Sequence, residues 1–370
     1  NIMNAYVKRD LYLNRLIVRR DNGQIKAVTG PRRSGKSFLL DPIYKDYLLS
    51  KGVPEDNIII ISFDIEDEDT PQELLDREKL KEYLYSRIAS QTENYYVFLD
   101  EIQEVDGFER IVNGLNKRQN VDVYVTGSNS KFLSSEINTI FRGRSDEVSV
   151  LPFTFREFCQ DRQESVNDLW KEYYTYGGLP ALRKMPTAEQ KTTYLQKLWK
   201  KTYLDDVVER HNVENREALE AIADALCSSI GSLTNTTRIT NTLGSVRKIK
   251  ITDDTVAKYI GYLEEAFLFN EARRYNIKGN KYYENIKKYY SIDVGLRNAR
   301  LNYRQLEQTH LMENIIFNEL LYRGYVVDVG VVEHRKMVDG KSEYKQYEVD
   351  FIATDGHEKY YIQSAYEIET

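Results

Sequence analysis

Two cysteines in 370 residues, Cys159 and Cys227, lie far apart and follow no CxxC spacing. That excludes a disulfide framework and reads as buried thiols in a reducing compartment. The four histidines, His211, His310, His334 and His357, cluster nowhere, so no zinc site is expected. No apolar run approaches the roughly 18 residues that span a bilayer, and no membrane association is expected. Asn1–Leu11 carries no signal-peptide pattern, and the initial Asn suggests a natural start further upstream. Positive charge is in deficit, with 52 Lys and Arg against 58 Asp and Glu, a net charge of −6. A globally basic nucleic-acid binder is therefore excluded. No internal repeat or low-complexity stretch appears. What remains is a cytoplasmic globular chain, 41% hydrophobic and 30% charged, long enough for two or three domains.

The most informative stretch present is Gly30-Pro31-Arg32-Arg33-Ser34-Gly35-Lys36-Ser37, which fits G-x-x-x-x-G-K-[ST]. Ile25–Thr29 before it has strand character, and the residues from Ser37 and Phe38 onward open a helical stretch reaching Ser50. A strand–loop–helix frame lets the two glycines turn the backbone so that successive N–H groups face one anion. In such a loop Lys36 reaches the β/γ-phosphates and the Ser37 hydroxyl ligates Mg²⁺. Residues Gly30 to Phe38 are thus the expected nucleotide contacts, with a nucleoside triphosphate as ligand. The alternative is an ordinary glycine turn with an exposed lysine.

Tyr95–Glu101 reads as a buried strand ending in two carboxylates. Asp100 would complete the Mg²⁺ site, and Glu101 would orient and deprotonate the attacking water. Asn57–Phe63 is a further apolar strand between the two motifs. A fourth, Val121–Thr126, ends in Gly127-Ser128-Asn129. Ser128 or Asn129 would touch the γ-phosphate and the water, unless the segment is only a turn. Arg142 and Arg144 would stabilise transferred charge, in cis or from a neighbouring subunit of a homo-oligomer, unless they are simply solvated. Val148–Phe153 reads as a fifth strand, and Thr154–Phe158 begins a helical lid. Other expected helices are Asp10–Arg19 and Leu74–Thr92. The alternation of strands and helices predicts an α/β fold with a parallel sheet.

Together Gly30–Ser37, Leu99-Asp100-Glu101, Thr126-Gly127-Ser128-Asn129-Ser130, Phe141-Arg142-Gly143-Arg144 and Leu151-Pro152-Phe153 resemble the prokaryotic AAA-type ATPases of the archaeal-ATPase branch. Tyr176-Gly177-Gly178-Leu179-Pro180 and Tyr289–Asn298 match the same family in order. The resemblance covers nearly the whole chain. It implies an AAA-like P-loop domain over 1–152 and a C-terminal domain of unknown function with a restriction-endonuclease-like segment. It also implies that the Asp100 strand lies one strand away from the loop strand, the arrangement in which an extra glutamate acts as base. ATP is the implied nucleotide, and no Asn-Lys-x-Asp guanine reader occurs in the chain.

Residues 153–205 read as a mostly helical lid or linker, where Leu195, Leu198 and Trp199 form an apolar stripe suited to a core. Residues 206–275 read as a winged-helix-like domain with helices Ala218–Ile230, Thr234–Leu243 and Thr252–Ala266, and a wing strand at Leu268–Tyr275. If this domain binds DNA, Arg247, Lys248, Lys250, Lys258, Arg273 and Arg274 would face phosphates. Glu264 and Glu265 interrupt that basic face, which favours a protein-contact lid. Residues 276–370 read as a small endonuclease-like α/β domain, cut short at Thr370. A helix beginning at Leu311 carries Glu313, and strands Tyr325–Val329, Tyr347–Ala353 and Lys359–Gln363 follow. Glu313 and Asp350 match two carboxylates of a metal-dependent nuclease, but Gln363-Ser364-Ala365 lacks the third carboxylate and the lysine. A degenerate binding fold is the expectation there. The reading as a whole is a Mg²⁺-dependent ATPase coupled to its C-terminal domains. The alternative is a nucleotide-gated DNA-binding or regulatory protein with little turnover, and an active nuclease is third.

Overall fold

The computed structural model describes residues 6–64, 68–128, 134–338 and 341–366. They form two compact units, Asn1–Val150 and Leu151–Thr370. In the first, five strands pair in parallel: β1 (Ile25–Thr29), β2 (Ile58–Ser62), β3 (Tyr95–Asp100), β4 (Val121–Thr126) and β5 (Ser145–Ser149). Their order is β2-β3-β4-β1-β5, so β4 alone separates the Asp100 strand from the loop strand, as the resemblance implied. This is the parallel sheet of a P-loop NTPase fold. Strands β1, β3 and β4 are buried along their whole length, because helices cover both faces of such a sheet. Ile59, Ile61, Val97, Leu99, Val123 and Val125 lead the core, with Leu80, Ile111, Val112 and Leu115 packed on it.

Three elements differ from expectation for local reasons. The helical run after the loop is interrupted: Asp41 leaves helical geometry (φ −133, ψ 110) ahead of Pro42. A proline ring disfavours helical backbone in the residue before it. The helix expected over Leu74–Thr92 is Arg77–Arg87, because the Asp76 carboxylate accepts from the Glu78 and Lys79 amides and starts it there. The fifth strand runs Ser145–Ser149 rather than Val148–Phe153. It pairs with β1 through Ile25↔Ser145 to Thr29↔Ser149, and Pro152 has no N–H to continue a ladder.

At the amino end of this sheet Lys26 is fully buried and pairs with Asp122. The same carboxylate accepts from the Tyr124 hydroxyl at 2.7 Å and from the Asp21 amide at 3.0 Å. Tyr124 in turn shares a 2.6 Å hydrogen bond with Tyr44. Asp122→Ala would leave an uncompensated ammonium and should cost about 3–5 kcal/mol in urea unfolding. The double variant Lys26→Met/Asp122→Leu should recover most of that loss.

The second unit opens with helices and ends in a mixed sheet. Thr154 and Glu157 form a reciprocal capping box that starts the helix Phe155–Phe158. Helices Arg216–Ser228, Thr236–Thr242 and Asp253–Glu265 follow, the last capped by Thr252. Leu195, Leu198 and Trp199 are buried in a core with Leu219, Ile222, Leu226, Val256, Ile260 and Leu263. The segment expected as a wing is instead β6 (Phe269–Asn276), an interior strand. It pairs antiparallel with β7 (Lys281–Ser291) and parallel with β8 (Val326–Val338). Strands β9 (Lys341–Asp355) and β10 (Glu358–Ile362) complete the order β10-β9-β8-β6-β7. The helix carrying Glu313 begins three residues earlier than expected, at Gln308.

Two stretches that matched the family only in order meet here. Asp293 is buried; its Oδ2 accepts from the Gly178 amide at 2.7 Å and its Oδ1 from the Leu296 amide at 3.1 Å. Gly177 has φ +77, and a Cβ on it would lie 2.1 Å from Asp293 Oδ1. Only glycine fits there. Burial pushes the Asp293 carboxyl up to about 6, against the pull of its backbone donors. The folded state therefore holds a proton that the unfolded chain releases near pH 4, so this group's contribution to stability falls as pH rises from about 4 to 6. Melting curves of wild type and Asp293→Asn across that window should show the wild-type advantage shrinking with pH. A constant difference would contradict the assignment.

Candidate functional site

In a parallel sheet, groups placed just past the carboxyl ends of neighbouring strands converge at one edge. The loop after β1, Asp100 and Glu101 at the end of β3, Thr126 and Ser128 at the end of β4, and Ser62 at the end of β2 all lie at that edge. The loop bends through Gly30 at φ +133, Arg33 at φ +64 and Gly35 at φ +93. A Cβ on Gly30 would sit 2.2 Å from the Val150 carbonyl oxygen, so the backbone approach admits no side chain. Pro31 and Ser34 are buried, Arg32 and Gly35 half-buried, and Arg33, Ser37 and Phe38 exposed.

Lys36 is 3% exposed, and its ammonium lies over the loop. It donates to the Gly30 and Pro31 carbonyls at 3.2 and 2.9 Å and stands 3.8 Å from Glu101 Oε1. Burial lowers its pKa, opposed by the charges of Glu101 and Asp100. The Ser37 hydroxyl donates to Asp100 Oδ1 at 2.9 Å. Thr126 donates to the same oxygen at 2.6 Å, and Ser62 reaches Oδ2 at 3.3 Å. Burial raises the Asp100 pKa, while the Thr126 and Ser37 hydroxyls pull it back toward the ionised form.

Glu101 sits in the left-handed region at φ +51, the rare backbone that turns its side chain back over the strand ends. Its amide is held by Thr126 Oγ1 at 2.8 Å, and its Oε2 accepts from Ser128 at 2.9 Å and from Gln103. The fold thus brings Lys36, Ser37, Asp100, Glu101 and Ser128 together. Asn129 lies outside the described residues. Arg142 and Arg144 do not join the group. Both are exposed, and they precede β5 at the amino end of the sheet, where Ile25 donates to the Arg144 carbonyl at 2.7 Å. A five-residue strand, about 16 Å, separates them from the loop.

Sequence reasoning missed four participants. Thr126, in sequence only part of a family motif, clamps both Asp100 and Glu101. Ser62 and Gln103 gave no signal beyond being polar residues near strand ends. Arg9 is 2% exposed and donates to the Ser34 carbonyl at 2.9 Å, a contact 25 residues away in sequence. The residues fit a magnesium nucleotide. The loop's backbone is bent as an anion cradle, Ser34 Oγ is fully buried with no partner, and a hydroxyl and a carboxylate stand together for a hard cation.

Of the basic residues expected to face phosphates on the second unit, Lys248, Lys250 and Lys258 are exposed and Arg274 is buried. Arg274 is 7% exposed on interior strand β6 and donates to Gln346 at 3.3 Å. Arg273 stacks on the Tyr282 ring at 3.7 Å, and Arg247 pairs with Asp224 at 3.2 Å. Arg273 and Arg274 lie in the sheet rather than on a wing.

Residues 22–159 match the family model described as AAA domain, and residues 167–307 match one described as a domain of unknown function (DUF8612). An uncharacterized protein of Haemophilus influenzae is 35% identical over 98% of this chain and 88% of its own length. Uncharacterized protein MJ1544 of Methanocaldococcus jannaschii is 29% identical over 93% of this chain and 75% of its length. The chain belongs to this family of AAA-type P-loop ATPases with a C-terminal domain of unknown function. Among solved structures, the Aeropyrum pernix ORC1 protein in complex with DNA is 13% identical, covers 80% of this chain and 93% of its own, and has a TM-score of 0.33. A DNA polymerase III gamma subunit-related protein of Thermotoga maritima is 14% identical over 69% and 91%, with a TM-score of 0.32.

Gly30→Ala would force a Cβ into the Val150 carbonyl. About 1–3 kcal/mol of strain falls on the loop, so the affinity for a fluorescent ATP analogue should drop about tenfold or more. Unchanged affinity would mean that the nucleotide does not depend on this bend.

Proposed function

We propose that this chain binds and hydrolyses ATP with Mg²⁺ and couples its nucleotide state to the second unit. The observation that carries the reading is the single cluster of Lys36, Ser37, Asp100, Glu101 and Ser128 at the carboxyl edge of the sheet. The backbone N–H groups of Gly30 and of Arg32 to Ser37 would hold the phosphates, with Pro31, Phe38 and the side chains of Arg32 and Arg33 beside them. Ser37 and Asp100 would hold Mg²⁺, which neutralises charge on the transferred phosphate. Lys36, desolvated and poised between loop carbonyls and Glu101, supplies a fixed positive charge that needs no reorganisation. Glu101 accepts the proton of the attacking water, and Ser128 holds its other oxygen and fixes its orientation.

In this reading Arg142 or Arg144 acts on a neighbouring copy in a homo-oligomer, since neither reaches the loop of its own chain. The cytoplasm is the setting that two free cysteines favour. Among the described residues no helix is long and apolar enough to cross a membrane.

Lys36→Ala should abolish ATP binding in calorimetry. Glu101→Gln should bind ATP with near wild-type affinity while turnover falls about 10²–10⁴-fold. Phosphate release at the wild-type rate from the Gln variant would remove Glu101 from the reaction. A wild type that binds ATP but releases no phosphate would favour the gated regulator instead.

A further inference from the structure

Of the two carboxylates that the sequence marks as nuclease-like, Glu313 lies in a centre that already contains a cation. Glu313, on the helix Gln308–Tyr322, is 7% exposed and faces β7. There the Lys288 ammonium, 3% exposed, stands 3.0 Å from Glu313 Oε1 and 2.6 Å from Glu348 Oε1. The Tyr290 hydroxyl donates to the same Glu313 oxygen at 2.6 Å. Asp350 is turned elsewhere: its Oδ2 accepts from Gln363 Nε2 at 2.8 Å and from the Ser364 amide at 2.7 Å. Gln363 stands where a metal-dependent hydrolase needs a carboxylate, and it occupies Asp350 instead of opposing it. Among the described residues no three His, Cys, Asp or Glu side chains form a metal-holding group.

We infer that the Lys288 ammonium is the resident cation of this centre, standing between Glu313 and Glu348 in the place a divalent metal would take. A metal entering beside it would meet a like charge within contact distance of both carboxylates. Expelling the lysine would leave a buried ammonium without its partners. Burial lowers the Lys288 pKa, but Glu313 and Glu348 outweigh it and leave it raised, so the charge persists at neutral pH. The centre is a self-neutralised remnant that holds the end of β7 to the helix and to β9. It performs no metal-dependent phosphodiester cleavage. This inference stands apart from the nucleotide site, and its test uses no nucleotide.

The full chain is titrated with Mn²⁺ by electron paramagnetic resonance, and its melting is followed in chelator and in millimolar Mn²⁺. In the wild type, Glu313→Gln should not change the number of Mn²⁺ ions bound, and plasmid DNA should stay intact. Lys288→Ala should melt lower in chelator and recover a good part of the loss in Mn²⁺. Adding Glu313→Gln to Lys288→Ala should abolish that recovery. Wild-type Mn²⁺ binding or plasmid cleavage that disappears in Glu313→Gln overturns the inference. So does a folded Lys288→Ala protein indifferent to Mn²⁺. The wild-type titration decides the question even where Lys288→Ala does not fold.

Discussion

One carboxylate at the end of a buried strand organises the first unit. Asp100 accepts from Ser37 after the loop, from Thr126 on β4 and from Ser62 on β2, so three neighbouring segments are tied at one point. Its burial raises the cost of the ionised form, and the Thr126 and Ser37 hydroxyls offset part of that cost only while the strand ends stay in register. Thr126 extends the constraint to the next residue by holding the Glu101 amide, which keeps Glu101 in a left-handed backbone it would otherwise leave. The metal-binding and water-activating groups of the proposed reaction are thereby positioned by the same hydroxyl.

Buried charge is handled alike elsewhere in the molecule. Lys26 in the first sheet and Lys288 in the second are each almost fully buried; Lys26 pairs with one carboxylate and Lys288 with two, and in each case a tyrosine hydroxyl donates to a partner carboxylate. A buried ammonium with such partners fixes which strands and helices meet, because any other arrangement leaves it unpaired. Asp293 serves the second unit in the opposite sense: a buried acid that backbone amides alone satisfy. The glycine at 177 lets the main chain reach it.

The first four strands of the first sheet and the phosphate loop are legible because each is a short, strongly apolar or glycine-marked segment whose meaning is local, whereas the polar fifth strand, Ser145–Ser149, is not. The second sheet was harder to read. Phe269–Asn276 is mostly polar and charged, as an exposed wing would be, and only its pairing with both β7 and β8 reveals an interior strand. Its arginines are accommodated there by Tyr282, Tyr283 and Gln346, partners that no sequence spacing announces. The nuclease-like carboxylates were found by their order along the chain, whereas Lys288, which changes their meaning, precedes them on another strand.

By itself, the order of residues determined the loop, the strand ends carrying Asp100 and Glu101, and the family, since a P-loop is a local backbone device that needs only its glycines, lysine and hydroxyl. The tertiary structure decided what depends on distance. It put Arg9 under the loop, joined Ser128 to Glu101, carried Arg142 and Arg144 to the far end of the sheet, and set an ammonium among the second unit's carboxylates. Contacts of that kind arise from strand order and helix packing, and neighbouring residues in the chain do not encode them one by one.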